Sequence, residues 1–181
     1  MKISIIIFLS FVFVNLYAQT VYTGVTGTVD FTSDAPMELI KANSKKMSGA
    51  INTADKSFLF NIQMTSFQGF NSDLQRIHFN ENYIESSKYP TSKFEGKIIE
   101  DIDFSKPGTY TVRAKGNLII HGVSQQRIIK STIVITKDGM KIKSQFTVPL
   151  TDHKIQIPAV VAQKIAQEIY ISINIDLKPK K

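Results

Sequence analysis

The sequence lacks several residue types and motifs on which whole classes of protein depend. Its 181 residues contain no cysteine, which excludes a disulfide scaffold, a thiolate zinc site and a cysteine nucleophile. It has no Gly-x-Ser-x-Gly elbow, no phosphate-binding loop and no Gly-x-Gly-x-x-Gly run. Charged residues make up only 20% of it. What is present is 43% hydrophobic and includes twelve phenylalanines, which is enough for the core of a single domain.

The first eighteen residues have the layout of a secretory signal peptide. Lys2 supplies a positive start, residues 3–14 form an apolar run, and Ala18 is a small residue before the cut. The run is shorter than the ~20 residues that a membrane-spanning helix needs. We therefore predict a signal peptide over residues 1–18, one domain over residues 19–181, and a periplasmic or secreted location. A retained amino-terminal anchor is the alternative.

The rest of the chain alternates between apolar and polar residues with a period of two. This pattern predicts strands with one buried face, and the short, turn-rich connections between them indicate antiparallel hairpins. A sheet with one apolar face must close into a barrel or fold into a sandwich. Segments 71–85 and 158–167 are predicted to be short helices, the first with Leu74, Ile77 and Ile84 on one side. The eight predicted strands cover residues 25–33, 47–52, 57–65, 92–99, 109–121, 126–136, 140–150 and 168–177.

Three stretches of the sequence resemble signatures of the YceI-like family. Residues 76–79, Arg-Ile-His-Phe, followed by residues 88–94, Lys-Tyr-Pro-Thr-Ser-Lys-Phe, are similar to the family's Arg-Asp-His-Leu-like run and the Lys-Tyr-Pro that leads into a strand. Residues 116–123, Gly-Asn-Leu-Ile-Ile-His-Gly-Val, resemble its Gly-Asp-Leu-Thr-Ile-His-Gly-Val run. Residues 146–157 are similar to its late strand and the turn that follows. The three stretches occur in the family's order and span most of the chain.

The resemblance implies a fold and a class of ligand. YceI-like proteins are exported bacterial proteins with an antiparallel, lipocalin-like β-barrel, here of eight strands. Some members bind a polyisoprenoid lipid, or a quinone with an isoprenoid tail, in a long apolar tunnel. The sequence has Ile77 and Asn117 where the family commonly has Asp. Those departures concern the polar part of the pattern and leave the alternating apolar faces intact.

The inward faces of the predicted strands can form either a packed core or a binding tunnel, because an eight-stranded barrel is wide enough for both. Small residues in the middle of long strands, namely Ala114, Gly116 and Ser144, favour a channel between bulky rings. The predicted tunnel lining consists of Phe58, Phe60, Ile62, Phe94, Val112, Ala114, Gly116, Leu118, Ile120, Ile142, Phe146, Val148, Ile171 and Ile173.

Three basic residues in the least regular part of the chain are candidates for contacting a polar head group. They are Arg76, His78 and Lys88, and a few polar groups at the mouth of an apolar pocket commonly set specificity. The alternative is that Arg76 pairs with a carboxylate such as Glu81 or Glu85, and that Lys88 is merely solvated.

The predicted function is binding of an isoprenoid-like lipid or quinone, for carriage or sequestration, without a cofactor and without a catalytic or metal-binding residue. One alternative is an envelope interaction module with a filled barrel core and no small-molecule ligand. Another is a metal-dependent enzyme, which requires His78, His121 and His153 to converge, although they lack paired zinc-ligand spacing. Lysines spread over many strands do not predict nucleic-acid binding, and a net charge of +7 does not by itself imply membrane association.

Overall fold

The computed structural model describes residues 21–180, which form a closed barrel of eight antiparallel strands. Each strand pairs with its neighbours in sequence, and the last pairs with the first, so the barrel leaves no strand edge unpaired. The predicted lipocalin-like barrel is confirmed, and the sandwich alternative is wrong. The signal peptide predicted over residues 1–18 lies outside the described residues. The strands are β1 (Val21–Ala35), β2 (Glu38–Asn52), β3 (Ser57–Gln63), β4 (Thr91–Ile98), β5 (Gly108–Ile120), β6 (Val123–Thr136), β7 (Gly139–Pro149) and β8 (Glu168–Pro179).

The largest difference from the predicted strands is at β2, which begins at Glu38 and not at residue 47. The first half of β2 buries Ile40, Ala42 and Ser44. Two of these side chains are small, so the hydrophobic alternation of this segment is weak in the sequence. Pairing with β1 continues from Asn52 to Glu38, and this pairing holds the segment in the sheet.

The connection between β3 and β4 contains the one α-helix of the described residues, α1 (Asp73–His78). The Ser72 hydroxyl caps it by accepting a hydrogen bond from the Gln75 amide at 3.2 Å. The helix then widens into a π-helical turn over Phe79–Tyr83, which rotates the inward face. Therefore the predicted apolar side is wrong in part: Leu74 and Ile77 are 59% and 41% exposed, whereas Ile84 is buried.

The segment predicted as a second helix, residues 158–167, forms only a single 3₁₀ turn over Ala159–Val161. Pro158 precedes this turn in an extended conformation, with ψ near 141°, instead of occupying the first helical position. No helix among residues 21–180 has both the length and the apolar character to cross a bilayer.

The two ends of the barrel differ. Both long connections, residues 64–90 and 150–167, leave from the same end because each follows a strand of the same direction; we call this the loop end. The turns 53–56 and 137–138 lie at the opposite end, which we call the turn end. Large, almost fully buried side chains fill the turn end: Ile51, Ile133, Ile135, Met140, Ile175 and Leu177.

Candidate functional site

The loop end of the barrel encloses an apolar cavity of about 300 Å³, the outer chamber. Strands β1, β2, β5, β7 and β8 supply one part of its wall, and the connections 64–90 and 150–167 supply the other. Its lining consists of Phe31, Ser33, Glu38, Ile40, Met64, Phe67, Phe70, Gln75, His78, Phe79, Tyr83, Ile84, Ile120, Val148, Leu150, Ile155, Val161, Lys164, Ile165, Ile169 and Ile171.

A second cavity of about 150 Å³, the inner chamber, lies next to the first. Small side chains on three neighbouring strands contribute to its wall: Ala114 on β5, Ser131 on β6 and Ser144 on β7. Rings from Phe60, Phe94 and Phe146 line it as well. The barrel is thus hollow in one part and filled in the other. The described residues therefore do not form the fully filled core that the alternative, an envelope interaction module, requires.

Five residues line both chambers, and we call this set the partition: Met64, Phe67, Ile120, Val148 and Ile171. The last three are wall positions on β5, β7 and β8. Met64 and Phe67 come from the connection that follows β3, so they are the members of the partition that the loop end contributes.

The connection 64–90 forms the part of the outer chamber wall that we call the roof, and a cluster of four phenylalanine rings supports it. Phe31 on β1 lies 5.5 Å from Phe67, 5.6 Å from Phe70 and 5.5 Å from Phe79. Phe70 and Phe79 are also in contact, with centroids 5.1 Å apart. Such offset and edge-on pairs are favourable beyond the area they bury, so the connection 64–90 is held on the barrel by its own aromatic side chains.

Hydrogen bonds fasten both long connections to the β1–β2 hairpin. The amides of Asn43 and Gln68 each donate to the other's carbonyl, at 2.8 and 2.9 Å. The Ala166 amide donates to the Ser33 hydroxyl at 2.9 Å, and the Met37 amide donates to the Gln163 carbonyl at the same distance. These bonds fix both connections over the outer chamber.

The polar part of the outer chamber wall is small and includes Ser33, Glu38, Gln75, His78 and Lys164. The Glu38 carboxylate accepts hydrogen bonds from the side-chain amides of Gln75 and Asn71, which links α1 to β2. Burial raises the pKa of the Tyr83 hydroxyl, so this ring remains neutral and lines the chamber as an apolar wall with one polar atom.

The structure places eleven of the fourteen residues predicted to line a tunnel in the wall of the inner chamber. The other three lie elsewhere. Phe58 and Val112 are buried in the hydrophobic core. Gly116 faces Gly96 of β4, and a Cβ at Gly116 would lie 2.2 Å from the Glu95 carbonyl oxygen. Its small size therefore allows close approach of two strands and does not widen a channel.

Of the three head-group candidates, His78 lines the outer chamber. Arg76 makes an exposed ion pair with Asp73, with 3.8 Å between the charged atoms, so it pairs with a carboxylate as the alternative expected, although the partner is neither Glu81 nor Glu85. Lys88 Nζ lies 4.9 Å from the centroid of the Tyr89 ring. Among residues 21–180, the walls of the two chambers include neither Arg76 nor Lys88.

His121 joins the two long connections beside the chamber. Its Nε2 atom lies 2.5 Å from the Glu85 carboxylate, and its Nδ1 atom lies 3.1 Å from the His153 carbonyl oxygen. Its ring therefore bridges Glu85 in the connection 64–90 and His153 in the connection 150–167. His121 and Glu85 have positive φ angles of 51° and 48°. This backbone conformation is uncommon for residues with a side chain, and here it brings the two groups together.

His153 is fully buried, with Nδ1 3.1 Å from the Val123 carbonyl oxygen. Burial lowers the pKa of its imidazole, although the hydrogen bond to Val123 opposes that shift. The three histidines do not converge, because His78 lines the chamber while His121 and His153 lie in the adjacent turns. Within residues 21–180, no three His, Cys, Asp or Glu side chains are grouped as metal ligands.

Sequence reasoning missed most of the outer chamber. Its roof residues Phe67, Phe70 and Phe79, and the basic residue Lys164 at its edge, lie in connections without alternation. The available signal was the density of aromatic residues between positions 67 and 83, which is unusual for a solvent-exposed connection.

A model of the YceI-like domain matches residues 14–177. Solved structures with a similar fold include a polyisoprenoid binding domain from Saccharophagus degradans, implicated in plant cell wall breakdown, with 11% identity and a TM-score of 0.74 over 90% of this chain and 99% of that chain. BcnA from Burkholderia cenocepacia has 16% identity and a TM-score of 0.67 over 83% of this chain and 95% of that chain. The YCEI protein of Campylobacter jejuni has 19% identity and a TM-score of 0.56 over 77% of this chain and 84% of that chain. No curated protein matches the sequence.

Proposed function

The chain belongs to the YceI-like family, and on that basis we propose that it binds an amphiphile with an isoprenoid-like tail, such as a prenyl lipid or a quinone. The observation that carries the proposal is the hollow loop end, where an apolar chamber of about 300 Å³ adjoins a smaller one. The neighbour from Saccharophagus degradans is described as a polyisoprenoid binding domain, which supports an isoprenoid tail.

The physical driving force is the burial of the tail. Apolar surface removed from water contributes about 25 cal/mol per Å² before the costs of association. A prenyl tail needs no directional partner along its length, and the walls offer mainly Phe, Ile, Val and Leu side chains. Affinity would therefore depend on shape and length, while the few polar groups near the chamber would contact the head group.

We expect Lys164 and His78 to contact that head group, because both line the outer chamber. Both can donate hydrogen bonds to a phosphate, carboxylate or quinone oxygen. Arg76 and Lys88, the other sequence candidates, are engaged with Asp73 and Tyr89. We propose carriage or sequestration of the amphiphile in preference to its turnover, in an exported protein whose residues 1–18 direct it out of the cytoplasm.

The test is displacement of the fluorescent probe anilinonaphthalene sulfonate by a prenyl alcohol such as geraniol. The proposal predicts that the alcohol displaces the probe from the wild-type chain, and that Ile171→Phe, which fills the chambers from β8, weakens this displacement at least tenfold. The matched control is Ile128→Phe, which adds the same ring at a position that is 58% exposed and should change nothing. An absence of displacement from the folded wild-type chain would contradict the proposal.

A further inference from the structure

We propose that the partition between the two chambers limits how deep a tail can reach, and that Met64 is the stop. The inference rests on the proposed function and narrows its ligand class: the preferred tail is short, about two isoprene units. Longer tails are accepted, but their extra units remain outside the chamber and add no affinity.

The volumes set the length. An apolar cavity of roughly 150 Å³ holds benzene, which has six carbons. The outer chamber, at about 300 Å³, therefore has room for about 12 carbons. Two isoprene units contain ten carbons and fit, whereas three units exceed the space. The inner chamber of about 150 Å³ would hold about 6 more carbons on the same scale, or one further unit.

Met64 is placed and fixed in a way that suits a stop. It directly follows β3 and is buried, and its amide donates to the Pro90 carbonyl at 2.9 Å. The Ser92 hydroxyl contacts its Sδ atom at 3.0 Å in the buried interior. A methionine side chain has three rotatable bonds and would otherwise be adaptable. The contact with Ser92 and the fixed backbone therefore hold the side chain where the two chambers adjoin.

The other members of the partition are less suited to this role. Ile120, Val148 and Ile171 belong to the barrel wall, where strand pairing fixes them at the perimeter. Phe67 is tied into the aromatic cluster, with its ring 5.5 Å from Phe31 and 5.8 Å from Phe79. Met64 is the partition residue that the loop end supplies without such a cluster, so its truncation joins the chambers with the least change to the roof.

The test measures, by titration calorimetry, the Kd values of geraniol, farnesol and geranylgeraniol, which contain two, three and four isoprene units. For wild type we expect Kd to level off at geraniol. For Met64→Ala we expect farnesol to bind at least tenfold more tightly than it binds wild type, because each unit that enters an apolar chamber is worth roughly tenfold or more. Geraniol should not gain more than about threefold from the truncation, because it has no further unit to enter the inner chamber and loses the contacts of Met64 in the outer one.

Two variants control for volume and folding. Met64→Leu conserves volume and should keep the wild-type length profile. Ile129→Phe narrows the inner chamber from β6; it should cancel the farnesol gain in the Met64→Ala background and leave the farnesol Kd of the otherwise wild-type chain within about threefold.

The outcomes separate the two proposals. If wild type and Met64→Ala bind these alcohols with the same length profile, the stop is overturned while the proposed function stands. A tenfold loss of farnesol affinity caused by Ile129→Phe alone would also overturn the stop, because the tail would already reach the inner chamber. This second result does not depend on whether Met64→Ala folds. If the folded wild-type chain binds none of the three alcohols, both proposals fail.

Discussion

Truncating one isoleucine near each end of β8 tests whether the turn end of the barrel is filled and the loop end is hollow. Ile171 and Ile175 are four residues apart and therefore point to the same, inward face of the strand. Ile175 is 1% exposed, and a Cβ built on Gly27 of β1 would lie only 2.8 Å from its own Cβ. Ile171 lines both chambers, so part of its surface already faces empty space.

The two substitutions remove the same three carbon atoms but should differ in cost. For Ile175→Ala, the lost transfer free energy of the three carbon atoms is about 2.4 kcal/mol, at about 0.8 kcal/mol for each. The sealed void that remains costs roughly 1.5–2 kcal/mol more, at about 24 cal/mol per Å³. The free energy of unfolding should therefore fall by about 4 kcal/mol. For Ile171→Ala no new void is sealed and fewer contacts are lost, so we expect a fall of about 1–1.5 kcal/mol.

Urea unfolding followed by far-ultraviolet circular dichroism measures both values, since the chain has no tryptophan to report by fluorescence. Equal slopes against urea concentration would show that the two variants expose the same surface on unfolding. The expected gap is about 2.5 kcal/mol. Costs within about 0.5 kcal/mol of each other would refute the reasoning, because they would mean that the loop end packs as tightly as the turn end.

Two further predictions concern the histidines beside the chamber. Burial lowers the pKa of His153 below its ordinary 6.5. As the pH falls below about 6.5, this histidine therefore takes up a proton more readily in the unfolded chain than in the folded chain. The free energy of unfolding is highest above that pH and decreases as the pH falls. The free energy of unfolding of wild type relative to His153→Asn should therefore decrease between pH 7 and pH 5, and a constant difference would contradict this assignment. Glu85→Gln weakens the link to His121 and should lower the free energy of unfolding by about 1 kcal/mol, whereas Glu81→Gln on the same connection should have no effect; equal losses would argue against the link.

The strands could be predicted because their alternation is a direct consequence of one buried face. Segments 57–65 and 140–150 alternate strongly, and β3 and β7 begin within one residue of those predictions. The start of β2 could not be found in this way, since its inward side chains include Ala42 and Ser44. Pairing with β1 decides that segment, and pairing depends on the chain as a whole and not on local composition.

The outer chamber could not be predicted for a different reason. Its roof depends on tertiary contacts made by segments that have no regular period, such as the stacking of Phe79 on Phe31. The π-helical turn after α1 moved the inward face from Leu74 and Ile77 to Phe79 and Tyr83. A helical period assumed through residue 85 assigns those side chains to the wrong side, because each π-helical turn contains an extra residue.

The position of the inner chamber shows why single strands do not reveal a cavity. A small residue on a strand does not by itself leave a cavity: at Gly96 and Gly116 it lets the backbones of β4 and β5 approach closely. At the inner chamber two small residues are paired, Ser131 on β6 with Ser144 on β7, and Ala114 on β5, which pairs with Ile129, lines the same chamber. Volume is therefore a property of register, because a one-residue shift of β6 would place Thr132 or Lys130 at that position and turn Ser131 to the opposite face.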